Sequence, residues 1–235
     1  MVGSRDRTGR GEQAENPGRT VAKVRITEIF YSIQGESTYA GRPCLFVRLT
    51  GCPLRCVWCD TAYAFQGGTS WTVEEVLAEV RKRPVRLVEI TGGEPLAQPA
   101  AFDLIRALSG DGYEVLVETG GAVSIEGIDP RAVLIYDVKC PDSGEVERNR
   151  WENLPLLRPG RDEVKFVLAS RRDYVWALQV LRERRLHERH TVLFSPVTRS
   201  CPPSDLAAWI LEDAAPVRLQ LQLHKLIWGA DARGV

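Results

Sequence analysis

The sequence predicts an α/β fold, a partial, TIM-like barrel of parallel strands. Three observations carry that expectation. Short apolar segments with strand character alternate with helical patterns, the signature of a parallel sheet with right-handed crossovers. The chain has 235 residues, which suits one α/β domain but falls short of the roughly 250 of an eightfold barrel. Several polar motifs follow directly on strand segments, where such folds gather their chemistry.

The elements follow in order. Val24 to Phe30 and Cys44 to Leu49 read as the first two strands, the second running straight into a cysteine-rich loop. Thr72 is placed to N-cap a helix over 73–83, with Glu75 completing a capping box. Val76, Leu77 and Val80 lie at helical spacing and Pro84 stops the helix. Arg86 to Thr91 is a strand and Gln98 to Leu108 a helix. Tyr113 to Glu118, Ala132 to Val138 and Glu163 to Leu168 are strands, and Tyr174 to Arg184 is a helix whose charged end, Arg182 to Arg185, is exposed. His190 to Phe194 and Val217 to Leu223 are further strands, separated by a helix near 204–213. Residues 1–22 are polar and read as a disordered extension without a signal-peptide apolar core, leaving 23–235 as a single domain.

Lys plus Arg and Asp plus Glu balance at 31 each, which argues against a nucleic-acid protein working through a broad basic surface. No apolar run approaches the roughly 18 residues of a membrane span. The expected location is the cytoplasm, where six cysteines are thiols or metal ligands rather than disulfides.

Three of the six form C-x3-C-x2-C: Cys52, Cys56 and Cys59. Thiolates at this spacing suit an iron–sulfur cubane, and three ligands for four irons leave one iron open to a ligand. A structural zinc site, with a fourth ligand from Cys44, Cys140 or a histidine, and three unrelated thiols are the competing readings. Thr91-Gly-Gly-Glu-Pro95 ends a strand with two glycines that allow close backbone approach, and is read either as a ligand-binding turn or as a plain strand-to-helix turn.

With Trp58 just before the last cysteine, the loop resembles the radical S-adenosylmethionine (SAM) signature. Phe30-Tyr-Ser-Ile-Gln-Gly-Glu-Ser37, Asp60-Thr61, Asp137-Val-Lys-Cys-Pro141 and the tail from Gln222-Leu-His-Lys225 to Arg233-Gly-Val235 resemble the 7-carboxy-7-deazaguanine synthase family, over about Lys23 to Val235. That resemblance implies a radical SAM core fold with a 4Fe–4S cluster, SAM and Mg2+. It also implies conversion of 6-carboxy-5,6,7,8-tetrahydropterin to 7-carboxy-7-deazaguanine with loss of ammonia, on the route to queuosine and other 7-deazapurines. The 5′-deoxyadenosyl radical would abstract hydrogen at carbon 6, the ring would contract and SAM would be regenerated. A flavodoxin or ferredoxin-type reductant and a homodimer are implied as well.

Residue by residue, the resemblance assigns Cys52, Cys56 and Cys59 to the cluster and Thr61 to magnesium. On the residues alone, Thr61 reads as a helix cap or turn residue. The SAM contacts are Trp58, Asp60, Gly93, Glu94, Glu118, Asp137, Lys139, Ser195 and Thr198, with Pro196 beside them. Glu118 reads equally as a solvated strand-end carboxylate. The substrate contacts are Gln34, Gly35, Glu36, Arg48, Thr91, His224 and Val235, with Arg48 suited to the substrate carboxylate.

The chain departs from the family in three places. It has Ser37 where many relatives have glycine, Asp137-Val-Lys139 in place of S-P-K, and Val235 where some members have proline. Among the remaining groups, Cys44 reads as a buried structural thiol and Cys140 as structural or substrate-lining, partly activated by Lys139. Cys201 reads as an incidental loop thiol, and His187 and His190 as surface groups. A radical SAM activase is the rival enzyme, and an electron carrier or zinc module the rival of another class. Neither needs Arg48, the Gln34-Gly-Glu turn and the His224 tail around a pterin.

Overall fold

The structure is a computed structural model and describes residues 22–230 and 232–235. The expected disordered extension therefore lies, but for Ala22, outside the described residues. One sheet carries nine strands in the order β3-β1-β2-β4-β5-β6-β7-β8-β9. These are β1 (Lys23–Ile33), β2 (Pro43–Leu49), β3 (Thr69–Thr72), β4 (Leu87–Gly92), β5 (Glu114–Thr119), β6 (Val133–Val138), β7 (Glu163–Leu168), β8 (Thr191–Pro196) and β9 (Arg218–Leu219).

The β2-to-β9 run is parallel throughout, and β1 joins both β2 and β3 antiparallel. The sheet is strongly curved. Lys165 of β7 reaches Glu118 two strands away and Glu36, just past β1, five strands away. The curved sheet with helices outside it is the expected partial barrel.

Five α-helices complete the described fold: α1 (Val73–Val80), α2 (Ala100–Gly110), α3 (Arg171–Glu183), α4 (Pro203–Glu212) and α5 (Leu223–Trp228). The capping box of α1 is present, with Glu75 N donating to Thr72 Oγ1 at 3.1 Å and Thr72 N to Glu75 at 2.7 Å. The helix ends at Val80, and residues 81–83 turn back before Pro84. Helix α3 starts three residues ahead of the expected Tyr174 because the Ser170 hydroxyl caps Asp173 N.

Two elements depart from expectation. The hydroxyl-rich Thr69–Thr72 is a short edge strand on β1 rather than a loop. The strand expected over Val217 to Leu223 is only Arg218–Leu219, and Leu223 opens α5. The alternation also breaks after β5 and β6, where the crossovers carry only turns and 3-10 segments. Among the described residues no helix is long and apolar enough to cross a membrane.

Candidate active site

Successive residues of a strand face opposite sides. In β4, Val88 and Ile90 face one way while Glu89 and Thr91 face the other; in β7, Val164, Phe166 and Leu168 oppose Lys165. By the same alternation Arg48 of β2, Glu118 of β5, Asp137 of β6 and Ser195 of β8 share the polar side. Registry places Arg48 opposite Thr91 and Asp137 opposite Lys165. The concave face of the sheet is therefore charged, an arrangement that serves binding rather than core packing.

At one end of that face the cysteine loop lies against the Thr91-to-Pro95 turn. Glu94 N donates to Gly51 O at 2.8 Å and Gly93 N to Leu49 O at 3.2 Å. A Cβ on Gly93 would collide with the Gly51 carbonyl oxygen and sit 2.7 Å from Cys52 Cβ. One on Gly92, at φ +145, would collide with Leu49 backbone. The glycines thus admit the cysteine loop itself.

Cys52, Cys56 and Cys59 are free thiols, each partly exposed. Burial raises the Cys52 thiol and pushes that of Cys56 up to about 11, with Lys139 the favourable charge beside each. Among the described residues no three Cys, His, Asp or Glu side chains converge as a single-ion site. A cubane, in contrast, takes each thiolate on a different iron. Three neighbouring soft donors without disulfides fit such a cluster.

Glu94 is fully buried, and its carboxylate accepts from Leu96 N at 3.1 Å, Thr119 Oγ1 at 3.0 Å and Gly120 N at 2.7 Å. It therefore ties the turn after β4 to the turn after β5. Burial raises its carboxyl, and these three bonds oppose the rise.

Three charged groups meet on the concave face. The Lys165 ammonium donates to Glu36 at 3.1 Å and to Glu118, and Glu118 also accepts from Thr91 Oγ1 at 3.4 Å. Gln220 and Gln222 donate to the two Glu36 oxygens at 2.9 and 2.8 Å. Burial alone would raise the Glu36 carboxyl, but Lys165, the Gln222 donor and the neighbouring His224 hold it at about 2. Gln34 donates to Glu89 and accepts from Glu36 N at 3.0 Å, so both ends of its amide shape the turn.

Burial, then the Glu118 and Glu36 carboxylates, push Glu89 well above the usual carboxylate range of about 4.5. A carboxyl raised in this way stabilises the fold fully below pH 4.5, and that contribution fades as pH rises toward the folded value. Glu89→Gln is therefore expected to match the wild type near pH 4 and to melt at a higher temperature than it by pH 8. Parallel melting curves at every pH would count against the buried protonated carboxyl.

Gly35 admits the C-terminal segment. Its carbonyl accepts from Leu223 N at 3.0 Å, and a Cβ would stand 2.7 Å from His224 Nδ1. Ser37, the departure from glycine, does adopt left-handed backbone at φ 62. Its hydroxyl accepts from Tyr39 N at 3.2 Å and its amide donates to Gln220 at 2.7 Å. These bonds offset the cost of a Cβ in that region.

Arg48 Nε pairs with Glu28 at 2.8 Å, and Tyr63 OH donates to the same carboxylate at 2.7 Å. Among the described residues only Nε of the Arg48 guanidinium is hydrogen-bonded, which leaves its two Nη groups to meet an incoming anion. Arg233 stacks on the Tyr63 ring at 4.4 Å, and Lys225 pairs with Asp60 at 2.8 Å, so α5 and the tail are tied to the cysteine loop. Val235 borders a cleft of about 300 Å3 with Tyr31, Ser32, Ile33 and Trp228. Thr61 stands at the N-cap of the 3-10 segment Ala62–Phe65 but its hydroxyl caps nothing; Cys59 Sγ lies 3.7 Å from it.

Along the next strands, Lys139 pairs with Asp137 at 2.8 Å, and its backbone is clamped by Asn149 through two bonds of 2.8 Å. The other Asp137 oxygen is buried without a partner. Ser195 is buried at the end of β8, and Thr198 is exposed in the following turn. Trp58 is half-buried in the cysteine loop.

Sequence reasoning missed Lys165, Glu89, Gln220, Gln222 and Asn149. The only signal for the first two was a lone charge between apolar strand neighbours. Two minor expectations are corrected. Cys140 is buried, which pushes its thiol far up and leaves it inert rather than activated. His190 is buried, with Nδ1 3.1 Å from Asp162 O; Cys201 lies in the loop before α4 as expected, and is buried there. Cys44 and His187 lie as expected, buried and exposed respectively.

A three-thiol loop packed on a glycine turn at the mouth of a partial barrel defines a radical SAM enzyme, and the model of the Radical SAM superfamily matches residues 46–130. A 7-carboxy-7-deazaguanine synthase of Chlorobaculum tepidum is 47% identical over 92% of this chain and 99% of its own length. One of Koribacter versatilis is 46% identical over 90% and 100%. The crystal structure of QueE from Escherichia coli shares the fold, with a TM-score of 0.71 at 22% identity over 85% of this chain and 94% of that one. The chain belongs to the 7-carboxy-7-deazaguanine synthase family.

Proposed function

We propose that this chain converts 6-carboxy-5,6,7,8-tetrahydropterin to 7-carboxy-7-deazaguanine, with loss of ammonia, in 7-deazapurine biosynthesis. One observation carries it beyond family membership. The concave face beside the cysteine loop presents both a guanidinium, Arg48, and the carboxylates Glu36 and Glu118. That polarity suits a flat heterocycle with a carboxylate at one end and N–H donors at the other.

Cys52, Cys56 and Cys59 would hold the cluster, and the bound cluster and SAM supply the one-electron chemistry that opens the C–H bond at carbon 6. Trp58, Asp60, Gly93, Asp137, Lys139, Ser195 and Thr198 would line the SAM side, with Glu94 acting through the turn it holds. The unpartnered Asp137 oxygen supports a polar ligand there. Thr61, its hydroxyl unused as a cap, would take Mg2+ with substrate oxygens and water. Arg48 would clamp the substrate carboxylate, and Gln34, Gly35, Glu36, Thr91, His224 and Val235 would hold the ring. Glu118 belongs on this side too, since it is bonded to Thr91 and Lys165.

The proposal extends to a single domain over 23–235, supported by one continuous sheet. It also includes the cytoplasm, supported by reduced thiols, and a flavodoxin or ferredoxin-type reductant with a homodimeric state, both supported by the family resemblance.

Anaerobic reconstitution with iron and sulfide, then reduction with SAM, Mg2+ and the pterin, should yield 7-carboxy-7-deazaguanine by mass spectrometry. Cys56→Ala should abolish it. Release of 5′-deoxyadenosine without that product would overturn the pterin assignment.

A further inference from the structure

We propose that Lys165 is the positioning residue of the substrate pocket, holding the Glu36 and Glu118 side chains aligned for the N–H edge of the ligand. This inference rests on the reading that the ligand is a pterin-like heterocycle.

Lys165 is buried beneath the concave face, its side chain 5% exposed, while those of Glu36 and Glu118 are 16% and 28% exposed. The ammonium therefore meets no ligand directly. It bridges a turn after β1 and the end of β5, which no backbone ladder connects. Glu36, Glu89 and Glu118 all face Lys165, and Asp137 stands opposite it in register. Without a cation among them, neighbouring carboxylates repel, and one takes up a proton.

A protonated or splayed carboxyl cannot accept two N–H donors at once. The 2-amino and ring N–H groups of a pterin form such a donor pair, and an aligned carboxylate accepts both. Gln220 and Gln222 bind Glu36 from the C-terminal side as neutral donors, so Lys165 is the charged group hydrogen-bonded to it. A lysine in the middle of an apolar strand, bonded to two acids from distant elements, has no such value to a packing core alone.

The test uses the reconstituted holoenzyme and the product 7-carboxy-7-deazaguanine as an equilibrium probe, with SAM affinity measured in parallel. Lys165→Met should weaken product binding about 30-fold, the equivalent of about 2 kcal/mol for a disrupted charge-assisted contact. KM for the pterin should rise with it, while SAM affinity changes less than about threefold. Lys165→Arg should retain most of the affinity even if the methionine variant fails to load iron.

Unchanged product affinity in Lys165→Met would overturn the inference, as would a parallel fall in SAM affinity of the same size. If the methionine variant does not load, product affinity lost in Lys165→Arg with SAM affinity unchanged would overturn it too. A wild-type enzyme that neither binds the product nor forms it would instead overturn the pterin reading.

Discussion

A Gly93→Ala protein is expected to fold and to lose most of its capacity for iron. The added Cβ meets the carbonyl oxygen of Gly51 and stands 2.7 Å from Cys52 Cβ, so the obstacle is backbone and the root of a cluster ligand. No rotamer change relieves it. The loop from Gly51 must retreat, and with it the first of three thiols whose joint placement defines the cluster site. Displacing a ligand's support costs about 10–100-fold in metal affinity, so iron per chain after anaerobic reconstitution should fall about tenfold. Thermal stability of the iron-free chain should fall by only about 1–3 kcal/mol, as for overpacking elsewhere. Gly110→Ala is the control, since its Cβ meets nothing within 4 Å. Full iron loading in Gly93→Ala would mean that the loop and turn are not coupled as described.

Glu94→Ala should produce the larger loss of stability. Truncation leaves Leu96 N, Gly120 N and Thr119 Oγ1 with no acceptor in a site closed to water. Each orphaned donor costs about 1–3 kcal/mol; allowing for relaxation, about 4 kcal/mol is expected, or a melting temperature lower by about 10 °C for a chain of this size. Glu94→Gln keeps one carbonyl oxygen for the nearest amide and should lose less than half as much. Calorimetry of the iron-free proteins checks the order. If Glu94→Ala melted with the wild type while SAM binding vanished, the carboxylate would serve the cofactor directly and not the turn.

What the sequence made legible followed from how local the cause was. The capping box at Thr72 and Glu75 and the C-x3-C-x2-C spacing are complete within a few residues, so both could be read from the chain. The parallel core strands were legible to within a few residues because β-branched runs stop at turn residues. The stretch after Val217 was not, because V-R-L-Q-L-Q-L alternates as a strand would. Its glutamines instead turn to Ser37 and Glu36, residues nearly the whole chain away. The partnership of Lys165 with Glu36 and Glu118 was hidden for the same reason. Alternation puts each on the inner face, but only the curvature of the sheet brings β7 toward β1.

The closure of the barrel has a consequence for how such a pocket can change. In a complete barrel, strand number and stagger set the diameter, and every backbone group is committed to a ladder. Here the gap beyond β9 is bridged toward the turn after β1 by Gln220, Gln222 and the Leu223 amide, mostly side chains. Point substitutions along that seam can widen or narrow the mouth while the sheet stays intact. The seam is therefore where natural variation or directed evolution can reshape ligand choice with little risk to folding.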